Sequence, residues 1–84
     1  MPKVPRDISA KELIDALQRL GYYVERQKGS HIRLGCKYKG GIHKLTVPAH
    51  SPLKIGTLNA ILRDIAEAHG MSKSDLIKKL FYPT

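Results

Sequence analysis

Apolar residues recur along this chain at two different periods, and the change of period separates helices from strands. In the first part they follow the spacing of one helix face, at Leu13, Ile14, Leu17 and Leu20. Ser9 stands three residues before Glu12, the spacing of a capping box, and Gly21 stands where a left-handed residue ends a helix. The pattern predicts a helix over about Ala10–Leu20.

Between residues 22 and 47 the period changes to two, which is typical of strands that bury one face. Glycine-containing turns divide this region into three predicted strands, at 22–27, 31–37 and 42–47. Such short turns join neighbouring strands, so we expect an antiparallel meander. The apolar residues of the second hairpin share a face if Leu34 pairs with Leu45, and this register brings His31 level with about Pro48.

In the first hairpin, the residues that share a face determine whether the loop has an odd or an even number of residues. If Val24 shares the buried face with Leu34, the loop has an odd length, and Lys28-Gly29-Ser30 offers three residues with a glycine that accepts positive φ. The opposite face then carries Tyr23, Glu25 and Gln27. We also expect His31 and His50 to lie toward the same end of the sheet.

Helical periodicity returns after the loop that contains Pro48 and Pro52. One apolar stripe consists of Leu58, Ile61, Leu62 and Ile65, and a second, shorter one of Leu76, Ile77, Leu80 and Phe81. The order helix, three strands, helix, helix predicts a two-layer α+β domain with its helices on one sheet face and the other face open and polar. We expect one domain over 8–84, preceded by a short flexible leader at 1–7.

Charge narrows the class of partner. The 84 residues include 15 Lys plus Arg against 7 Asp plus Glu, a formal net charge of +8, which favours a polyanion. No apolar run approaches the length of a membrane-spanning helix, and the single cysteine, Cys36, forms no intrachain disulfide. We expect a cytoplasmic protein without membrane association. We also expect no cofactor and no metal, because the four histidines lack the paired spacing of zinc sites.

The candidate chemistry lies in the segment from Arg26 to Leu34, which turns on Gly29 and opens the next strand with His31. Histidine exchanges protons near neutral pH, and Lys28 and Arg33 supply positive charge beside it. This combination suits chemistry on a phosphodiester. The alternative is a turn that carries an ordinary surface histidine.

These segments together resemble the HicA toxin family. The resemblance covers about Ile8 to Leu80 and is carried by five motifs: Lys11-Glu12-Leu13, Leu20-Gly21-Tyr22, Arg26-Gln27-Lys28-Gly29-Ser30-His31, Val47-Pro48-Ala49-His50 and Ile55-Gly56-Thr57-Leu58. Members are small ribonucleases that cut messenger RNA in toxin–antitoxin modules, and they resemble double-stranded RNA-binding domains in fold. The resemblance implies that His31 is catalytic and that a HicB-type antitoxin is a partner.

The resemblance and the residues together predict a metal-independent messenger RNA endoribonuclease. We expect RNA contacts from Arg26, Lys28, Gly29, Ser30, Arg33, Lys44 and His50. The role of His50 stays open between a second acid or base and a structural anchor of its loop. The alternative function is a non-catalytic module that binds double-stranded RNA through the same fold, and a small DNA-binding or adaptor protein is a third.

Overall fold

The computed structural model describes residues 4–82, and its elements follow the predicted order. They are α1 (Ala10–Leu20), β1 (Tyr23–Lys28), β2 (His31–Tyr38), β3 (Gly41–Pro48), α2 (Ile55–Ala68) and α3 (Lys73–Phe81). The strands form one antiparallel sheet in the order β1-β2-β3. The predicted α+β architecture is therefore confirmed. Residues 1–3 of the expected leader lie outside the described part, and Val4 packs against the core.

The first helix begins and ends where its sequence signals predict. The Ser9 hydroxyl accepts a hydrogen bond from the Glu12 amide at 3.0 Å, and the Glu12 carboxylate accepts one from the Ser9 amide at 3.1 Å. An N-cap of this kind stabilises a helix by about 1 kcal/mol, because it satisfies amides that have no partner within the helix. Gly21 then ends the helix with a φ of 114°, which glycine adopts without steric cost.

The second hairpin has the predicted register. Leu34 pairs with Leu45 and His31 pairs with Pro48. The turn between the strands consists of Lys39 and Gly40, both of which have positive φ. Two such residues are typical of the type I′ turn, whose twist matches that of the strands it joins.

The first hairpin differs from the prediction in its loop. Lys28 pairs with His31, so the loop has only two residues, Gly29 and Ser30. The extra residue that the parity requires lies in the strand instead, as a bulge between Val24 and Arg26. Bulges of this kind place two residues of one strand opposite a single residue of the other.

The core lies between the sheet and the helices. Its fully buried side chains come from all three helices and from the central and last strands: Leu13, Leu17, Leu34, Val47, Leu58, Leu62, Ile65, Leu76 and Leu80. Both α1 and α2 pack against β3, one edge strand of the sheet, and β1 is the other edge strand. Val24 shares the face of its partner Leu34, as predicted, yet at this edge it remains 42% exposed.

A short segment after β3 ties the tip of the first hairpin to the start of α1. The Ala49 amide donates to the Ser30 carbonyl at 2.7 Å. One residue later, the His50 carbonyl accepts from the Ala10 amide at 3.2 Å, and the Leu53 amide donates to the Ile8 carbonyl at 2.8 Å. We call residues 49–53 the connecting segment. It fixes the turn before His31 to the helical layer.

Candidate functional site

The face of the sheet that the helices leave uncovered carries most of the predicted site. Directly paired residues point to the same face, so the register defines three rows across it. The rows are Lys28–His31–Pro48, Arg26–Arg33–Thr46 and Tyr23–Gly35–Lys44. We call this surface the open face. It brings His31 together with the basic side chains that were predicted from the sequence to contact RNA.

A shallow cavity of about 580 Å³ lies at the hairpin end of the open face. It is lined by Arg26, Lys28, Gly29, Ser30, His31, Arg33 and Thr46. His31 and the three cations are all exposed, so a ligand reaches them without any rearrangement of the core. Thr46 was not among the predicted site residues, although its alternation along β3 placed it on this face and its pairing with Arg33 places it in the cavity.

The bulge decides which way Arg26 points. Simple alternation from Val24 puts Arg26 on the same face as Val24, toward the helices. The inserted residue, Glu25, reverses the alternation, so that Arg26 and Lys28 lie on the open face with their partners Arg33 and His31. Without this irregularity only part of the cationic cluster would surround the histidine.

Lys44 lies on the open face but outside the cavity. Its Nζ atom is 3.5 Å from Oε2 of Glu25. The lysine side chain is 48% exposed and the glutamate side chain 26%, so the pair contributes little to stability. Its importance is electrostatic, because Glu25 places negative charge beside a predicted RNA contact.

His50 does not share the cavity of His31. It lines a separate cavity of about 500 Å³ with Ser9, Lys11 and Ile32, near the start of α1. The connecting segment holds the backbone of His50 through its bond to Ala10. The two histidines lie toward the same end of the sheet, yet they face different surfaces.

A second histidine cluster, which the sequence did not indicate, lies in the helical layer. The Tyr22 hydroxyl is 2.7 Å from Nδ1 of His43 and 3.0 Å from Nε2 of His69. Nε2 of His43 is 3.4 Å from the carboxylate of Asp64. One pattern of neutral rings satisfies these contacts: His69 donates to Tyr22, Tyr22 donates to His43, and His43 donates to Asp64.

Burial explains the electrostatics of this second cluster. His69 is 7% exposed, and its pKa is lowered first by burial and then by unfavourable electrostatic interactions with His43 and Lys79. Burial likewise raises the pKa of Tyr22, with smaller contributions from Cys36 and Asp64. Both groups are therefore neutral near pH 7. The cluster joins β3 and the C-terminal end of α2 to the residue that precedes β1, which is a structural role.

Neither a metal site nor a membrane span is found between residues 4 and 82. No three His, Cys, Asp or Glu side chains gather there in a way that could hold a metal ion. None of the helices in that range is long and apolar enough to cross a membrane.

An α-β-β-β-α-α domain of three antiparallel strands is consistent with the double-stranded RNA-binding domain class of folds. The family match classifies the chain more specifically than the fold does. A family model for the HicA toxin of bacterial toxin-antitoxin systems matches residues 10–66, and the chain belongs to this family. It is thus a toxin-family protein for which the family implies an antitoxin partner. Comparison with curated proteins and with solved structures found no match to the chain.

Proposed function

We propose that this protein is an endoribonuclease that cuts messenger RNA, with His31 as its acid–base residue. The observation that supports this most is the cavity in which His31, three cations and two turn residues line one exposed surface. A phosphodiester needs both a proton carrier and positive charge at the same place. Family membership supports the same proposal, because it makes the chain one of the toxins of toxin–antitoxin systems.

The proposed reaction uses the RNA's own 2′-hydroxyl as the nucleophile. Neutral His31 takes the proton of that hydroxyl as its oxygen bonds to phosphorus. The bond from phosphorus to the 5′ oxygen breaks, and the imidazolium returns the proton to this leaving oxygen. The products are a 2′,3′-cyclic phosphate and a free 5′-hydroxyl.

The cations of the cavity stabilise the negative charge that builds on the phosphate oxygens. Arg26 and Arg33 offer planar guanidinium groups that bind such oxygens in pairs, and Lys28 adds a point charge beside them. Gly29 and Ser30 line the same cavity, and backbone amides at such a turn add neutral donors. Lys44 extends the positive surface. His50 lies in the neighbouring cavity, so its proposed contact with RNA is made from there.

The test is cleavage of a purified RNA by the purified protein in excess chelator, followed by analysis of the fragment ends. Fragments with cyclic phosphate and 5′-hydroxyl ends are expected. RNA with 2′-O-methyl groups at the cut sites should resist cleavage. Fragments with 5′-phosphate ends, or cutting only after a divalent ion is added back, would contradict the mechanism.

The fold favours one other candidate, a non-catalytic module for duplex RNA. Such modules recognise the shape of the duplex through the same arrangement of helices and strands. The cleavage assay separates the two functions, because the module would retain duplex RNA intact at any protein concentration.

A further inference from the structure

Two adjacent tyrosines occupy opposite environments. Tyr22 is 3% exposed and its hydroxyl is hydrogen-bonded within the buried histidine cluster. Tyr23, the first residue of β1, is 41% exposed and lies on the open face, in the row that contains Gly35 and Lys44. A large aromatic ring thus stands in the row of Lys44, which Glu25 accompanies, on the surface that carries the proposed active site.

Gly35 gives this ring a defined position. A Cβ atom added to Gly35 would be 3.1 Å from both Cζ and Oη of Tyr23, so the ring leans across β2 and covers the glycine. Glycine in the middle of a strand has a conformational cost, and here its missing side chain makes room for the ring. The tyrosine is therefore held by its neighbour strand while part of its surface remains open to solvent.

The distance from the ring of Tyr23 to His31 corresponds to the length of a few nucleotides of RNA. Gly35 follows His31 by four residues in β2, which corresponds to about 13 Å at the rise of a strand. Successive stacked nucleotides are about 3.4 Å apart along one strand, so a span of at most about four nucleotides connects the two positions.

Cations line the path and its far end. The Arg26–Arg33 row lies between His31 and Tyr23. Beyond the ring, a third cavity of about 680 Å³ is lined by Tyr23, Lys37 and Lys79, together with residues of the helical side such as Leu20, Cys36 and Met71. A phosphate on either side of a base at Tyr23 therefore has positive charge within reach.

We propose that Tyr23 stacks on a base of single-stranded RNA whose scissile phosphate lies at His31. The inference rests on the proposed ribonuclease function and adds the residue that positions the substrate strand. Unpaired bases stack on aromatic side chains in many RNA-binding sheets, whereas the bases of a duplex are already stacked and paired. The open face thus selects single-stranded over double-stranded RNA.

Two substitutions separate stacking from mere coverage of Gly35. Tyr23→Phe keeps the aromatic face, and Tyr23→Leu keeps an apolar side chain over the glycine but removes the π surface. Val24→Ala is the matched control, because Val24 is exposed to nearly the same extent in the same strand but lies on the opposite face. Thermal unfolding of each variant verifies that the sheet is intact.

The experiment measures binding of a labelled 2′-O-methyl octanucleotide, single-stranded or in a duplex, by fluorescence anisotropy. Tyr23→Leu should weaken binding of the single strand by about 5- to 100-fold. Tyr23→Phe and Val24→Ala should bind it as the unmodified protein does. The unmodified protein should prefer the single strand to the duplex.

Other outcomes would overturn the inference in distinguishable ways. If Arg33→Ala weakens binding but Tyr23→Leu does not, the open face binds RNA without stacking at Tyr23. If Tyr23→Leu weakens only the complex with the antitoxin, the ring belongs to a protein interface. If the unmodified protein neither binds nor cuts any RNA, the proposed function itself has failed.

Discussion

The histidines occupy two kinds of environment, and this difference decides what each can do. His31 and His50 are exposed, whereas His43 and His69 pack around the Tyr22 hydroxyl. An exposed ring exchanges protons with a bound substrate, while a ring held by buried partners is committed to its hydrogen bonds. We therefore expect the acid–base chemistry from an exposed ring, that of His31, and a contribution to fold stability from the two buried rings.

Replacement of His31 should abolish cleavage without unfolding the protein. The side chain lies on the open face, and substitutions at such positions usually change stability by less than about 0.5 kcal/mol. His31→Ala should therefore retain RNA binding and lose at least about 100-fold in cutting rate. The measurements are gel-based cleavage and thermal unfolding.

His50→Ala is the matched control for that substitution. It removes an exposed imidazole that lines a different cavity and leaves the backbone bond from Ala10 in place. It should retain most of the cutting rate. If instead His31→Ala cuts well and His50→Ala does not, the catalytic role belongs to His50.

The buried histidine cluster should make the fold sensitive to mild acid. Burial lowers the pKa of His69 from its ordinary value of 6.5, so below about pH 6.5 the unfolded chain binds a proton that the folded chain resists. The free energy of unfolding is then at its full value above pH 6.5 and falls as the pH decreases. His43, Asp64 and Lys79 face the same cluster as His69.

Urea unfolding between pH 5 and pH 7 measures this effect. His69→Gln removes the titrating group while its amide can still donate to Tyr22, so its stability should depend less on pH over that range. An equal pH dependence in the variant and the unmodified protein would show that His69 is not responsible.

At the level of elements, the sequence predicted more of the fold than of the contacts within it. The bounds of α1, the register of the second hairpin and the buried face of β2 follow from local periodicity and capping signals, and they are confirmed. The bulge at Glu25 could not be read in this way, because parity alone does not say whether an extra residue lies in the loop or in the strand. The predicted three-residue loop was wrong for this reason.

The residues of the candidate site also fall into those that local sequence motifs predicted and those that they did not. Residues adjacent in sequence to His31 were identified from the turn motif, and they do line its cavity. Thr46 could have been added to them, because the predicted register of the second hairpin pairs it with Arg33. The seat of Tyr23 on Gly35 and the Tyr22–His69 contact could not, because they depend on how side chains pack. Contacts of this kind arise from packing and leave no local pattern.

A substitution in the turn of the first hairpin should reduce activity by more than its loss of stability alone would explain. Gly29 and Gly40 both have positive φ, and a Cβ atom at either would meet nothing within 4 Å beyond its chain neighbours. Alanine at either position should therefore destabilise the protein through backbone strain alone, by about 1 kcal/mol. Only Gly29→Ala should also reduce cleavage, because Gly29 lines the cavity of His31.

Gly40→Ala serves as the control, since it has the same backbone effect in the other hairpin. Cleavage rates are compared well below the unfolding temperature of both variants. Equal losses of rate would mean that activity follows stability alone and that the geometry of the Gly29 turn has no separate role.

For the molecule as a whole, the positive charge of the open face favours RNA binding, so we expect this binding to be inhibited by a partner. A net charge of +8 accelerates encounters with RNA, which is abundant in any cell. We expect a HicB-type antitoxin with acidic or amphipathic character to cover the open face around His31, Arg33 and Lys44. RNA and the antitoxin should then exclude one another.

Arg33→Ala should weaken both complexes, each by about tenfold or more, because it removes charge-assisted hydrogen bonds at the centre of the shared surface. Titration of RNA into the purified complex with the neighbouring gene product measures the competition. A ternary complex that binds RNA as tightly as the free toxin would place the antitoxin elsewhere on the molecule.

The connecting segment has a consequence for engineering of the protein. Residues 49–52 are all exposed, so by accessibility alone they would be chosen for inserting an epitope or splitting the chain. Their backbone bonds to Ser30 and Ala10 argue otherwise, since an insertion there would separate the hairpin tip from the first helix. The turn at Lys39 and Gly40 is equally exposed and joins strands that are already neighbours, which makes it the better site for a tag.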